Sequence, residues 1–190
     1  FFMKLEPTLI KDLYVLHRNI QRDERGSFTR LFGEDEMKAL NRPSYAAHVN
    51  TSTSAFAGTL RGIHFQYPPF SESKIVACTS GAIWDVGIDL RPKSSTKFMW
   101  FAKTLTPENG LSMVIPEGFG HAFITLEPNS TAVYVVSQIY APDHESGIQY
   151  NDPKLSIDWP ITPTVISKKD QKWGLLDNRL DELNDGFSSL

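Results

Sequence analysis

The run Ala82-Ile83-Trp84-Asp85-Val86-Gly87-Ile88-Asp89-Leu90 alternates residue by residue. Trp84, Val86, Ile88 and Leu90 fall on one face, and Ile83, Asp85, Gly87 and Asp89 on the other. A period of two is the signature of a β-strand. Turn signals close the run at both ends, Ser80-Gly81 before it and Arg91-Pro92 after it. The same punctuation recurs outward along the chain: Glu24-Arg25-Gly26, Tyr67-Pro68-Pro69, Glu108-Asn109-Gly110, Glu127-Pro128-Asn129, Glu145-Ser146-Gly147 and Asn151-Asp152-Pro153. Short β-rich runs lie between these turns, a spacing that predicts a mainly β sandwich or barrel. A second strand is predicted over 133–140. There Tyr134, Val136, Gln138 and Tyr140 share a face, and Val133, Val135, Ser137 and Ile139 form its apolar reverse. Two phenols and an amide on one face suit a pocket wall better than a sealed core. Helices are few and peripheral: a short one from Glu34 to Leu40, and one capped by Ser167 that runs towards Leu183 with a bend near Gly174.

The chain of 190 residues fits a single domain over 1–190. It shows no internal repeat, low-complexity tract or linker. With 41% hydrophobic and 22% charged residues it has the composition of a globular protein. A net charge of -3 and a pI near 6.0 favour neither a nucleic-acid backbone nor an anionic membrane. The one cysteine, Cys78, follows the apolar run Ile75-Val76-Ala77 and reads as a buried structural thiol. Disulfide-free cysteine usage fits the cytoplasm. No apolar run approaches the ~18 residues of a membrane span. Phe1-Phe2-Met3 is too short for the apolar region of a signal peptide, and Met3 is a candidate native start.

Two histidines sit in short apolar segments punctuated by glycine: His64 in Leu60-Arg61-Gly62-Ile63-His64-Phe65-Gln66, and His121 in Ile115-Pro116-Glu117-Gly118-Phe119-Gly120-His121-Ala122-Phe123. Arg61 and Lys74 stand near the first. Two imidazoles with fixed cations suit a site that takes a proton from carbon beside a ketone and holds the enolate charge. His64 is the candidate base, although a strand histidine also serves as core. Strand parity puts Arg61 and His64 on opposite faces, so Arg61 is a rim charge unless Gly62 carries a bulge or kink. Inverting a carbon needs a proton donor on the opposite face, a role open to Tyr134, whose bland reading is an ordinary strand tyrosine. Asp170 admits two readings. It lies three residues after Ser167, as a capping carboxylate does, or it orients a histidine and stabilises imidazolium.

Gly110, Pro116, Gly118 and His121 match the spacing of the second metal-site motif of cupins, with Thr125 where asparagine is usual. The first motif wants His-x-His, and here reads His64-Phe65-Gln66. The chain therefore resembles a cupin, a double-stranded β-helix or jelly roll, that has lost a strong ligand and holds no metal.

The ordered markers go further. Asp23-Glu24-Arg25-Gly26-Ser27-Phe28, Asn50-Thr51-Ser52, Leu60 to Gln66, Lys74 ten residues after His64, Gly81 with Asp85-Val86, and Asp89-Leu90-Arg91 come first. Pro116-Glu117-Gly118-Phe119, Tyr140-Ala141-Pro142, Asn151-Asp152-Pro153, Trp159-Pro160 and Ser167-Lys168-Lys169-Asp170 follow. Together they resemble the dTDP-4-dehydrorhamnose 3,5-epimerase family over most of the chain. The resemblance implies a cofactor-free, metal-free homodimer that inverts C3 and C5 of a nucleoside-diphospho-4-keto-6-deoxyhexose in deoxysugar synthesis. It maps the base to His64, its aspartate to Asp170, the opposite acid to Tyr134 and the enolate-stabilising lysine to Lys74. Arg61 and His121 match substrate contacts. Arg25, Glu145 and Lys169 fall on further binding positions, some of them reached across the dimer, and Tyr140 lines the same pocket. Asn50 and Gln66 belong to this binding set.

Arg30 stands where the family places a glutamate, and His48 where it places a glutamine; both positions lie on the nucleotide side. A guanidinium in place of a carboxylate acceptor changes which base edge can be paired, so CDP, UDP and GDP sugars join dTDP as candidates. Ala122 replaces a usual glycine. Three other readings stay open: an epimerase of one carbon only or a ketoisomerase; a metal-dependent cupin dioxygenase or isomerase using His64, Gln66 and His121; and a non-catalytic sugar-binding jelly roll.

Overall fold

The computed structural model describes residues 3–39, 41–42 and 44–190. In chain order the strands are β1 (Lys4–Pro7), β2 (Tyr14–His17), β3 (Ile20–Asp23), β4 (Gly26–Thr29), β5 (His48–Ser54), β6 (Thr59–Gln66) and β7 (Lys74–Ser80). They continue as β8 (Ile83–Asp89), β9 (Trp100–Leu105), β10 (Leu111–Ile115), β11 (Phe119–Thr125), β12 (Ser130–Val136), β13 (Glu145–Gly147) and β14 (Val165–Ile166). Helix α1 spans Glu34–Ala39 and α2 spans Leu180–Gly186. Two sheets face each other. One has the order β1-β2-β10-β7-β12-β5, and the other β13-β6-β11-β8-β9 with β14 added in parallel to β6. The chain changes sheet between β5 and β6, β6 and β7, β7 and β8, β9 and β10, and again through β11, β12 and β13. This is a sandwich, as the turn spacing predicts, with the jelly-roll form that the cupin resemblance implies.

Alternation decides what lies between the sheets. Val76, Cys78, Met113 and Ile115 of the first sheet meet Ile83, Phe119 and Phe123 of the second. The odd and even residues of β8 part as predicted: Ile83 packs inward, while Trp84, Val86, Ile88 and Leu90 face outward. That outer face is covered by the C-terminal segment through Ile148, Leu155, Leu176, Leu183 and Phe187. Burial of each such side chain is worth roughly 1.5–3 kcal/mol. Phe187 stacks on Phe65 and Tyr67, with ring centroids 5.4 and 5.0 Å away. The packing straps the last 40 or so residues back over β6, and Asp170 lies on that strap.

Two predicted elements end differently. The strand predicted over 133–140 stops at Val136, because both neighbouring ladders begin there: Val136 pairs with His48 on one side and with Lys74 on the other. Beyond it Ser137 takes over, its N–H donating to the Ser73 carbonyl and its Oγ accepting from the Ser73 N–H. The helix predicted from Ser167 to Leu183 is broken into 3-10 turns at Asp170–Lys172 and Leu176–Arg179, followed by α2. Tertiary bonds claim the backbone between them. Gly174 accepts from the Gln149 N–H, and the Leu176 N–H donates to Asp152 Oδ2 at 2.6 Å. The first predicted helix runs Glu34–Ala39, and Leu40 lies outside the described residues. Phe1 and Phe2, which entered the signal-peptide reading, lie outside them too. No helix among the described residues is long and apolar enough to cross a membrane.

Candidate active site

The sandwich opens along β6 into two adjoining cavities of about 400 and 350 Å³, and His64, Lys74 and Tyr134 line both. The strand register explains the convergence. On the first sheet Tyr134 is flanked by Asn50 and Val76, and the end row of the ladders, two residues on, sets Val136 between His48 and Lys74. On the second sheet His64 and His121 are direct partners across β6 and β11. The two sheets thus supply the two walls of one groove.

Regular alternation would send Arg61 and His64 to opposite faces, yet both line the larger cavity. The extra residue lies in β6. His121 pairs with His64 and Phe123 with Arg61, so two steps along β11 span three along β6. Gly62 takes φ +123°, and a Cβ built there would lie 2.5 Å from the Ala122 Cβ and 2.7 Å from the His121 carbonyl oxygen. Only glycine accommodates both. Past the bulge Ile63 and Phe65 turn to the outer core, and His64 turns into the groove.

His64 Nε2 lies 2.6 Å from Asp170 Oδ1, and the Gly62 N–H donates to Asp170 Oδ2 at 3.2 Å. One carboxylate therefore holds both the imidazole and the bulge. Burial pushes the Asp170 carboxyl up, but the hydrogen bond and charge of His64, the Gly62 N–H and the Ser167 hydroxyl outweigh it and hold it below the ordinary value. With an ionised carboxylate at 2.6 Å, Nε2 must donate, which leaves the lone pair on Nδ1 of the neutral ring. The two readings of Asp170 resolve by atom. Its backbone N–H is capped by Ser167 Oγ at 3.0 Å, and its carboxylate serves His64.

Three more acid–base pairs surround the groove. His121 Nε2 meets Asp85 Oδ1 at 2.7 Å, both side chains being buried. Lys74 meets Glu72 at 2.7 Å, and Lys169 meets Glu145 at 2.5 Å. Burial raises the Glu145 carboxyl, and hydrogen bonds from Lys169 and Tyr140 bring it below the ordinary range. That same bond from its hydroxyl to Glu145 raises the Tyr140 phenol. Among the described residues, Arg61 has no carboxylate partner and the Tyr134 hydroxyl no hydrogen-bond partner; Arg61 reaches only the Thr53 carbonyl, at 3.5 Å.

His48, Asn50, Tyr140 and Glu145 line the smaller cavity, and Lys169 and His121 the larger. Tyr140 gets there from irregular chain rather than from the predicted strand. Gln66 also borders the smaller cavity, but its amide is spent on backbone. It donates to the Phe70 and Ile139 carbonyls and accepts from the Ala141 N–H at 2.7 Å, so it clasps the segments on either side instead of presenting a ligand atom. Two expected binding residues are not in the groove of this chain. Arg25 sits at the tip of the β3–β4 hairpin, paired with Asp23. Arg30 lies before α1 and pairs with Glu36. Ala122, the residue that replaces a usual glycine, points into the outer core and makes no approach to the groove.

Glu72 was not singled out from sequence, and Asp85 entered only as a family marker, with no site role. Asp85 carried a signal, as a carboxylate on the inward face of an apolar strand. Glu72 carried a weaker one, two residues before Lys74 and so on its face if the chain is extended there. Among the described residues no three His, Cys, Asp or Glu side chains gather as a metal site. The groove's chemistry is that of a half-buried imidazole on a buried carboxylate on one wall, an ammonium and a phenol on the other, and a guanidinium at the rim. That set can move a proton at carbon and bind an anion.

Comparison with known proteins supports the same chemistry. A family model described as dTDP-4-dehydrorhamnose 3,5-epimerase matches residues 7–178. The chain is 39% identical over 149 residues to the dTDP-4-dehydrorhamnose 3,5-epimerase of Sinorhizobium fredii, covering 78% of this chain and 76% of the relative. It is 34% identical over 177 residues to that of Escherichia coli, covering 92% and 95%. The crystal structure of the Bacillus anthracis dTDP-4-dehydrorhamnose 3,5-epimerase with TDP and pyrophosphate superposes with a TM-score of 0.88 at 37% identity, covering 92% of this chain and 99% of that one.

Proposed function

Because this chain belongs to the dTDP-4-dehydrorhamnose 3,5-epimerase family, we propose that its groove inverts C3 and C5 of a nucleotide-linked 4-keto-6-deoxyhexose, with His64 as the base. It is a sugar-nucleotide epimerase of deoxysugar biosynthesis. The observation that carries the assignment of roles is the His64–Asp170 pair on one wall facing Tyr134 and Lys74 on the other. His64 removes the proton from the carbon beside the C4 ketone, and Asp170 stabilises the imidazolium that forms. Lys74 donates to the enolate oxygen as charge develops there. Tyr134 gives a proton to the opposite face of the same carbon, so that the carbon is inverted rather than returned. No oxidant, metal or cofactor enters this balance. Arg61, with no carboxylate partner among the described residues, is the candidate contact for the diphosphate, with His121, His48 and Asn50 as further contacts around it.

The 1–190 chain acts as one domain in this reading and works as a cytoplasmic homodimer. Support for the dimer comes from β5, which among the described residues has a neighbour on one side only and leaves Val49 66% exposed; an open edge of this kind is a pairing surface. Arg25, on the separate β3–β4 hairpin, then reaches the groove of the second copy. Light scattering should give twice the 21.4 kDa chain mass, and a monomer at working concentration would exclude the shared site.

Incubation with 4-keto-6-deoxyglucose linked to dTDP, CDP, UDP or GDP in deuterated water tests the reaction. The expected result is solvent deuterium at C3 and C5 with one of these nucleotides. Deuterium at C3 alone would make the enzyme a single-carbon epimerase. Its absence at both carbons with all four would defeat the proposal.

A further inference from the structure

Glu72 is a carboxylate at the groove with no place in the chemistry above. Its Oε1 lies 2.7 Å from Lys74 Nζ, and the two side chains are 13% and 12% exposed. A carboxylate this withdrawn from water is costly unless it is paired. The backbone is built to hold it there. Ser71 Oγ donates to the Gln66 carbonyl at 3.1 Å, and Ser73 exchanges hydrogen bonds with Ser137 through its N–H and its carbonyl. Both serines are buried. With its neighbours anchored, Glu72 stands two residues before Lys74, the first residue of β7, and both line the smaller cavity.

We propose that Glu72 is the positioning residue for Lys74, holding the ammonium in the groove at the point where the enolate oxygen forms. The proposal rests on the epimerase reading of the same groove. A lysine has a flexible four-carbon stem and three rotatable donors. An ammonium left to wander must be re-ordered in each turnover, whereas one pinned by a carboxylate on rigid backbone is oriented before substrate arrives. Substrate then meets a donor already directed, and the N–H groups not engaged by Glu72 serve the oxygen. Glu72 itself touches no reacting atom in this arrangement.

The test is a double-mutant cycle read by deuterium wash-in and by binding of the nucleoside diphosphate alone. Glu72→Gln keeps shape and removes the charge. Wash-in is expected to fall on the order of 10- to 100-fold, with KM and nucleoside diphosphate binding close to the parent. Glu72→Asp, which restores the charge at a shorter reach, should recover part of that loss. In a Lys74→Ala background, Glu72→Gln should cost nothing further, because Glu72 acts through Lys74. The inference is overturned if Glu72→Gln exchanges at the parent rate, if the loss appears in KM and binding instead, or if it persists undiminished without Lys74. An inactive parent would instead count against the epimerase reading itself, so the two failures are distinct.

Discussion

His64→Ala is expected to abolish exchange of the sugar carbon-bound hydrogens with solvent while leaving nucleotide affinity close to that of the parent. The imidazole's carboxylate partner is also tied to the strand bulge, lying 2.6 Å from Nε2 and 3.2 Å from the Gly62 nitrogen. General-base catalysis contributes roughly 100- to 10,000-fold, and removing the base loses at least that much. The candidate diphosphate contact, Arg61, is untouched by the change, so binding separates from chemistry. Asp170→Asn should slow the same step by roughly 100-fold or more, since the imidazolium loses its counter-charge. The cap is retained in this variant, because it is the backbone N–H of residue 170 that Ser167 accepts from. A purely capping Asp170 would cost only about 1 kcal/mol of stability and leave exchange alone. Deuterium wash-in and melting temperature, measured on both variants, decide the matter. Exchange in His64→Ala at the parent rate would remove the centre of the mechanism.

Gly62→Ala is expected to damage fold and site together. The position has φ +123°, where an L side chain is strained, and the added methyl would lie 2.5 Å from the Ala122 Cβ and 2.7 Å from backbone of the neighbouring strand. Backbone strain and overpacking together cost roughly 2–6 kcal/mol. For a chain of this length that is a fall in Tm on the order of 5–20 °C. Any relief by straightening the bulge moves His64 out of register with His121 and separates it from Arg61, so exchange should fall as well. A variant with the parent's melting temperature and exchange rate would show that the bulge does not set the site.

Much of this molecule was legible from its residues. The alternation over 82–90 divides as written, Ile83 inward and Trp84, Val86, Ile88 and Leu90 outward, because one buried face on each side of a sheet leaves no other register. The spacing of turns was enough for a β sandwich or barrel, the cupin-like motif spacing narrowed it to a jelly roll, and the glycine before His64 marked the place where parity could fail. Residue type was enough to nominate His64, His121, Lys74 and Tyr134. Tertiary structure decided the rest. Whether Arg61 joined His64 depended on one extra residue in β6, a matter of pairing with β11 rather than of composition. Where β12 ended depended on where its neighbours β5 and β7 began. The helix predicted after Ser167 gave way to bonds from Gln149 and Asp152, which lie far from it in sequence. Asp170 reached His64 across 106 residues of chain only because Phe187 and its neighbours pack on the back of the same sheet. Gln66 and Asp85 acquired their partners in the same way, from Ala141 and His121. A side chain's chemistry is written in its own residue, but the atom that it meets is set by how distant strands are brought into register.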